Sequence, residues 1–152
     1  MKKTTSASAI EEFFAQPAIG IVGVSRNNKK FGYSVYKEMR AKGINVYPVN
    51  PNADTIDGQV CYKSISDLPG DAKSVVLLSK KEITPGLMES AIAKGIKNIW
   101  VQQGAESPEV IQKAENNGLN VILGRCILMF AKPTGPHSFH RFILKIFGRL
   151  PK

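Results

Sequence analysis

Apolar positions along the chain gather in short continuous runs, separated by longer stretches with helical spacing. The first run, residues 18–24 (AIGIVGV), is rich in β-branched side chains. Without polar alternation, it predicts a strand covered on both faces. Ahead of it, Ser8-Ala9-Ile10-Glu11 fits a capping box. That box predicts a short helix through Phe13 and Phe14, stopped by Pro17. Residues 31–42 read as a helix with Val35, Tyr36 and Met39 on one side and Gly43 as its stop. A second strand over 45–49 is cut short by Pro48 and Pro51.

The same alternation then repeats. Residues 74–78 form a third apolar strand, and Thr84 as N-cap with Pro85 at the first helical position opens a helix to Lys94-Gly95. Residues 98–101 are a fourth strand. Ser107-Pro108 opens the next helix, Asn117-Gly118 closes it, and 120–123 is a fifth strand. Strands alternating with helices over short connections predict a five-stranded parallel sheet with helices on both faces. Residues 52–68 are less regular and fit a short helix or an edge segment. One domain over 1–132, followed by a basic tail over 133–152, is the expected organisation.

Charge adds to this picture. The chain of 152 residues carries +9, with an apolar fraction of 43% that suits a globular protein. All 12 acidic residues lie at or before Glu115, among 15 Lys and Arg. The remaining 6 cations, from Arg125 to Lys152, have no acid among them. A second acid-free gap runs from Phe13 to Lys37. Both gaps predict anionic partners. No apolar run reaches the roughly 18 residues of a membrane span. The basic start has no apolar segment behind it, so no secretion signal is expected. Cys61 and Cys126 stand far apart and are expected to be reduced thiols in a cytoplasmic protein.

The turn after the first strand holds the candidate chemistry. In a sheet of this kind, ligands bind beyond the carboxyl ends of the strands, where strand order reverses. Gly20 and Gly23 relieve crowding there, and backbone N–H groups at the following helix start meet a phosphate. Ser25 supplies a hydroxyl; Arg26, Lys29 and Lys30 supply charge. A dinucleotide fingerprint would continue G-x-G-x-x-G, and this turn does not. NAD sites also place an acid near the second strand's end to bind the ribose diol, where this chain has Val49-Asn50-Pro51-Asn52. That argues against NAD and permits NADP or coenzyme A.

The stretch VGVSRNNKKFGYSVYKEMRAKGINVYPVNPN, followed by IDGQVCYKSISDLP, resembles the coenzyme A-binding domain family. Small stand-alone bacterial members are the nearest likeness, over about residues 10–130. The family is similar to the amino-terminal domain of the succinyl-CoA synthetase alpha subunit. The resemblance implies a Rossmann-like three-layer α/β/α fold that holds the nucleotide half of coenzyme A or an acyl-CoA. Carried over by position, Gly23, Ser25 and Arg26 face the pyrophosphate, and Lys30 with Tyr33 sits near the ribose 3′-phosphate or the pyrophosphate. Asn50 and Pro51 border the ribose or adenine, Ser79 and Lys80 lie on the adenine side, and Gln103 and Gly104 approach the pantetheine arm. Coenzyme A brings a diphosphate and a 3′-phosphate, which accounts for the cations. The synthetase's phosphohistidine domain has no counterpart here, so a binding or regulatory protein is expected in preference to a ligase.

Other features carry less. Cys126 ends the fifth strand beside Arg125, but both cysteines read first as small hydrophobes. His137 and His140 lack a third ligand, so no metal site is expected, nor any catalytic grouping. In the tail, Phe139, Phe142, Ile143, Ile146, Phe147 and Leu150 recur at helical spacing opposite Arg141, Lys145 and Arg149. Docking on its own domain or on a second copy in a homodimer ranks first for this stripe, an anionic membrane surface second, nucleic acid last. Two alternatives to coenzyme A binding stay open: an NADP-dependent enzyme on the same turn, and an interaction protein acting through its tail.

Overall fold

The computed structural model describes residues 6–130. Helix α1 (Ala7–Phe14) leads into strand β1 (Ala18–Val22), helix α2 (Phe31–Ala41) and strand β2 (Val46–Val49). A two-stranded hairpin, β3 (Thr55–Ile56) and β4 (Gln59–Val60), occupies the irregular region with a 3-10 turn over Ile65–Asp67. Then come β5 (Ala72–Leu77), α3 (Thr84–Lys94), β6 (Asn98–Gln102), α4 (Pro108–Asn116), β7 (Asn120–Arg125) and a closing 3-10 turn, Ile127–Met129. The five long strands form one parallel sheet in the order β2-β1-β5-β6-β7. The predicted five-stranded Rossmann-like α/β architecture is what the chain adopts.

Burial explains the apolar runs. Successive side chains of one strand enter opposite cores. Ile19, Ile21, Val76, Trp100 and Ile122 pack with Ile10 and Phe13 of α1 and with Val35, Tyr36 and Met39 of α2. Val22, Val75, Leu77, Ile99, Val101 and Val121 face α3 and α4 through Met88, Ala91, Val110 and Ala114. Buried polar groups tie α1 to the sheet: Ser74 Oγ donates to the Phe13 carbonyl at 2.8 Å and Asn120 Nδ2 to the Ala9 carbonyl at 2.9 Å. Phe13 and Phe14 meet the Trp100 ring edge-on, with centroids 5.4 and 5.8 Å away.

Several local readings are corrected. The cap of α1 is Ser6, whose hydroxyl accepts from Ala9 N at 3.1 Å. The helix therefore starts ahead of the Ser8–Glu11 box, and Ser8 lies inside it. Thr84 is not an N-cap: it is the first helical residue of α3, fully buried, with Oγ1 donating back to the Lys80 carbonyl at 3.0 Å. Strand β1 stops at Val22 because Gly23 turns to φ +102°. Pro48 fits within edge strand β2 because its missing N–H falls on the side away from β1, where its carbonyl accepts from Tyr62 N.

Candidate functional site

Strand order reverses at β1: α2 carries the chain outward to β2, and the chain then returns to β5 on the other side. A crevice outside the carboxyl ends of β1 and β5 is the expected outcome. Gly23 lies at the carboxyl end of β1, where such a crevice opens. A Cβ there would stand 2.7 Å from the Leu78 carbonyl oxygen, so only glycine lets the two strand ends meet. Gly20 acts elsewhere: its bare face receives the Leu68 side chain, 2.7 Å from where a Cβ would be, on the α3 side of the sheet.

The turn beyond Gly23 is stitched by its own polar groups. Ser25 Oγ accepts from Asn27 N at 3.0 Å, and Asn27 Oδ1 accepts from Lys29 N at 2.9 Å. The Asn27 carbonyl accepts from Lys30 N at 3.0 Å. This leaves the Ser25 hydroxyl proton free to be donated. Arg26, Lys29 and Lys30 are exposed and form no ion pair among the described residues. Lys30 is the N-cap of α2, and no side chain among the described residues caps that helix. The first α2 bond runs from Ser34 N to the Lys30 carbonyl. Among the described residues, the N–H groups of Phe31, Gly32 and Tyr33 are thus unclaimed, as at any uncapped helix start.

Gly32 is the residue that the sequence reading missed. A Cβ on it would fall 2.2 Å from the Gly23 carbonyl oxygen, so α2 begins in direct contact with the turn. It does the work of the third fingerprint glycine, close packing of helix on strand, but nine residues after Gly23. The missing third glycine therefore no longer speaks against a nucleotide. Its signal was present in the K-F-G segment, yet the fixed G-x-G-x-x-G spacing hid it.

Asn50, at the carboxyl end of β2, ties loops together. Its Nδ2 donates to the Val24 carbonyl at 2.7 Å, and its Oδ1 accepts from Asn52 N at 2.8 Å. An acid here could not make the first bond, which gives the neutral residue a structural cause besides any ligand. Pro51 is exposed beside it. Tyr33, predicted near Lys30, turns its hydroxyl to the tip of the β3–β4 hairpin, donating to both Asp57 oxygens at 2.9 Å. That bond to Asp57 holds the phenol above its ordinary pKa. Asp57 itself takes φ +50° in an Asp-Gly turn. Across the loop, the Lys63 ammonium bonds Asp54 at 2.7 Å and holds that carboxyl below its ordinary value.

The remaining predicted residues lie farther along the same edge. Ser79 follows β5, and its hydroxyl is 3.0 Å from that of Thr84; Lys80 beside it is exposed. Gln103 and Gly104 follow β6, with Gly104 at φ +95° and its N–H donating to both Glu106 oxygens at 3.2 and 3.1 Å. All eleven predicted positions thus fall in loops or helix starts at one edge of the sheet, with Gly23, Ser25, Arg26, Lys30 and Tyr33 in one turn and helix start. Cys61 is buried, and burial pushes its thiol up; Cys126 is half-buried at the end of β7. Among the described residues, no group of His, Cys, Asp and Glu is arranged to hold a metal, and no helix is long and apolar enough to cross a membrane. His137, His140 and the 133–152 tail lie outside the described residues.

Comparison with known proteins bears on this edge. A family model described as a CoA-binding domain matches residues 17–132. The alpha subunit of an ADP-forming acetate–CoA ligase from Pyrococcus furiosus is 28% identical over 130 residues, 78% of this chain and 28% of that subunit. The chain thus spans little more than a quarter of that relative. The uncharacterised protein YneT of Bacillus subtilis is 28% identical over 127 residues, covering 84% of this chain and 94% of that one. A solved structure, a conserved hypothetical protein from Pyrococcus furiosus, superposes with a TM-score of 0.71 at 38% identity, over 73% of this chain and 96% of that one.

Proposed function

We propose, since this chain belongs to the CoA-binding domain family, that its carboxyl-edge crevice binds coenzyme A or an acyl-CoA without covalent chemistry. The observation that supports the reading is the uncapped start of α2, where strand order reverses: among the described residues its first N–H groups are unclaimed and the neighbouring Arg26, Lys29 and Lys30 form no ion pair. A diphosphate meets the N–H groups of Phe31, Gly32 and Tyr33, where the helix dipole favours negative charge. Arg26 offers a bidentate fork, and Lys30 a point charge, to the phosphates. Asn50 keeps the turn closed on β2, and Pro51, Ser79 and Lys80 border the nucleoside. Gln103 and Gly104 lie where the pantetheine arm leaves. The role we propose is that of a binding or regulatory protein.

The NADP reading uses the same turn and is separated by titration calorimetry with coenzyme A, its 3′-dephospho form, NADP and NAD. Coenzyme A is expected to bind best, with the dephospho form weaker by roughly tenfold or more for each lost charge-assisted bond. Lys30→Ala should erase most of that difference. NADP binding at least as tight as coenzyme A overturns the assignment, and no binding by any of the four overturns the site.

A further inference from the structure

Away from that crevice, one flank of α1 forms a seam. Ala7, Glu11 and Phe14 follow one another at four- and three-residue spacing along the helix, and all three are half-buried. Ile10 and Phe13 on the core side of this row are buried, while Ser8, Glu12 and Ala15 on the other side are exposed. A row of this spacing is the line along which a second helix packs. The Phe14 ring stands edge-on to Trp100 at 5.8 Å, so the seam borders the aromatic cluster on the sheet.

The chain brings its own occupant to this place. The described residues end at Phe130, whose buried ring lies 5.7 Å from that of Trp100. The chain beyond it therefore begins beside the ring that Phe14 also meets. Met129 next to it is exposed and adds apolar surface there. Residues 131–138 connect Phe130 to the apolar stripe that starts at Phe139. Eight residues reach up to about 27 Å. An eight-residue helix such as α1 is only roughly 12 Å long, so the whole seam is within reach.

Charge selects α1 within its layer. The helix carries two carboxylates, Glu11 and Glu12, and no basic residue. Helix α2, which packs on the same core, has Lys37 and Arg40 against Glu38 alone. Arg141, Lys145 and Arg149 stand four residues apart with no acid among them. Such a cationic row is attracted to α1 and repelled by α2.

We propose that residues 139–150 pack as a helix along the α1 seam of their own domain. Phe142 and Ile146 lie against Ala7 and Phe14, and one cation of the row pairs with Glu11. The short connection gives the segment an effective concentration of about millimolar, which favours its own domain over a second copy. With its apolar face covered in this way, the segment is not a membrane anchor.

The test follows hydrogen exchange in the full chain. The amides of Ile10 and Ala15 bond the Ser6 and Glu11 carbonyls, and their exchange reads the cover over α1. Phe142→Asp should speed it by about tenfold or more at every protein concentration, with Val75 and Val76 of β5 still protected. Glu11→Lys should speed it by roughly twofold to fivefold, and one of Arg141→Glu, Lys145→Glu or Arg149→Glu added to it should restore the slower rate. That charge exchange decides the matter if Phe142→Asp unfolds the domain. Unchanged exchange in α1, or no rescue by any of the three, overturns the proposal. So does an effect that vanishes on dilution, the mark of a second copy. Sedimentation of the wild-type chain with vesicles of anionic phospholipid, abolished by Phe142→Asp, overturns it in favour of a membrane surface.

Discussion

Substituting Gly32 by alanine tests the packing on which the turn depends. The added Cβ falls 2.2 Å from the Gly23 carbonyl oxygen, 3.1 Å from its carbon and 3.3 Å from Val24 Cα, all backbone atoms that cannot swing aside. The first contact is about 1 Å or more too short, so α2 must shift bodily off the turn. Overpacking of this kind costs about 1–3 kcal/mol. Alanine in a helix returns roughly 0.5–1 kcal/mol relative to glycine. The difference is a net loss of up to about 2.5 kcal/mol, read as a fall in melting temperature of up to about 10 °C at roughly 2–4 °C per kcal/mol for a chain near 150 residues. Gly86 supplies the control: it too lies in a helix, α3, but a Cβ on it meets nothing within 4 Å. Gly86→Ala should therefore raise stability by about 0.5–1 kcal/mol through propensity alone. Thermal and urea unfolding of both variants would show opposite signs. If Gly32→Ala is stabilised as Gly86→Ala is, the close approach of helix to turn is wrong, and so is the role given to this glycine.

Other expectations follow from the same geometry. Asn50→Asp replaces the donor at 2.7 Å from the Val24 carbonyl by an acceptor. It should cost about 1–3 kcal/mol in urea unfolding and weaken coenzyme A in calorimetry. Ser74→Ala leaves the Phe13 carbonyl without its buried partner and should cost about 1–2 kcal/mol by the same assay. With a thiol reagent on the native protein, the half-buried Cys126 should react before the buried Cys61. Because the Cys61 pKa is raised by folding, its contribution is full below the thiol's unfolded pKa and is lost as pH rises through the folded value. Cys61→Ala should accordingly flatten the fall of stability above about pH 9.

The sheet was legible because each strand is a run of apolar residues that the pleat divides between two cores. Ile21 faces α2 and Val22 faces the other layer, which is why no alternation marks them. What escaped was non-local or set by φ. Gly23 ends β1 two residues before its apolar run stops, because a left-handed backbone and the approach of Leu78 require it. Thr84 carries a good capping side chain, but its hydroxyl bonds back to Lys80, so sequence position alone assigned it forward. The hairpin of β3 and β4 hid in a stretch without apolar periodicity, although Asp57-Gly58 is a recognised two-residue turn. Gly32 and the tie through Asn50 bridge segments that the linear pattern treats separately. Residue types at the turn could be read in advance; the unclaimed N–H groups above them could not.

The most direct measurement is a titration of isotope-labelled full-length protein with coenzyme A, following each backbone amide. The largest shifts are expected at Phe31, Gly32 and Tyr33 and through the Ser25–Lys30 turn, weaker with dephospho-coenzyme A and attenuated by Arg26→Ala. Saturable binding that leaves those amides unmoved, or moves only residues elsewhere on the fold, would contradict that expectation.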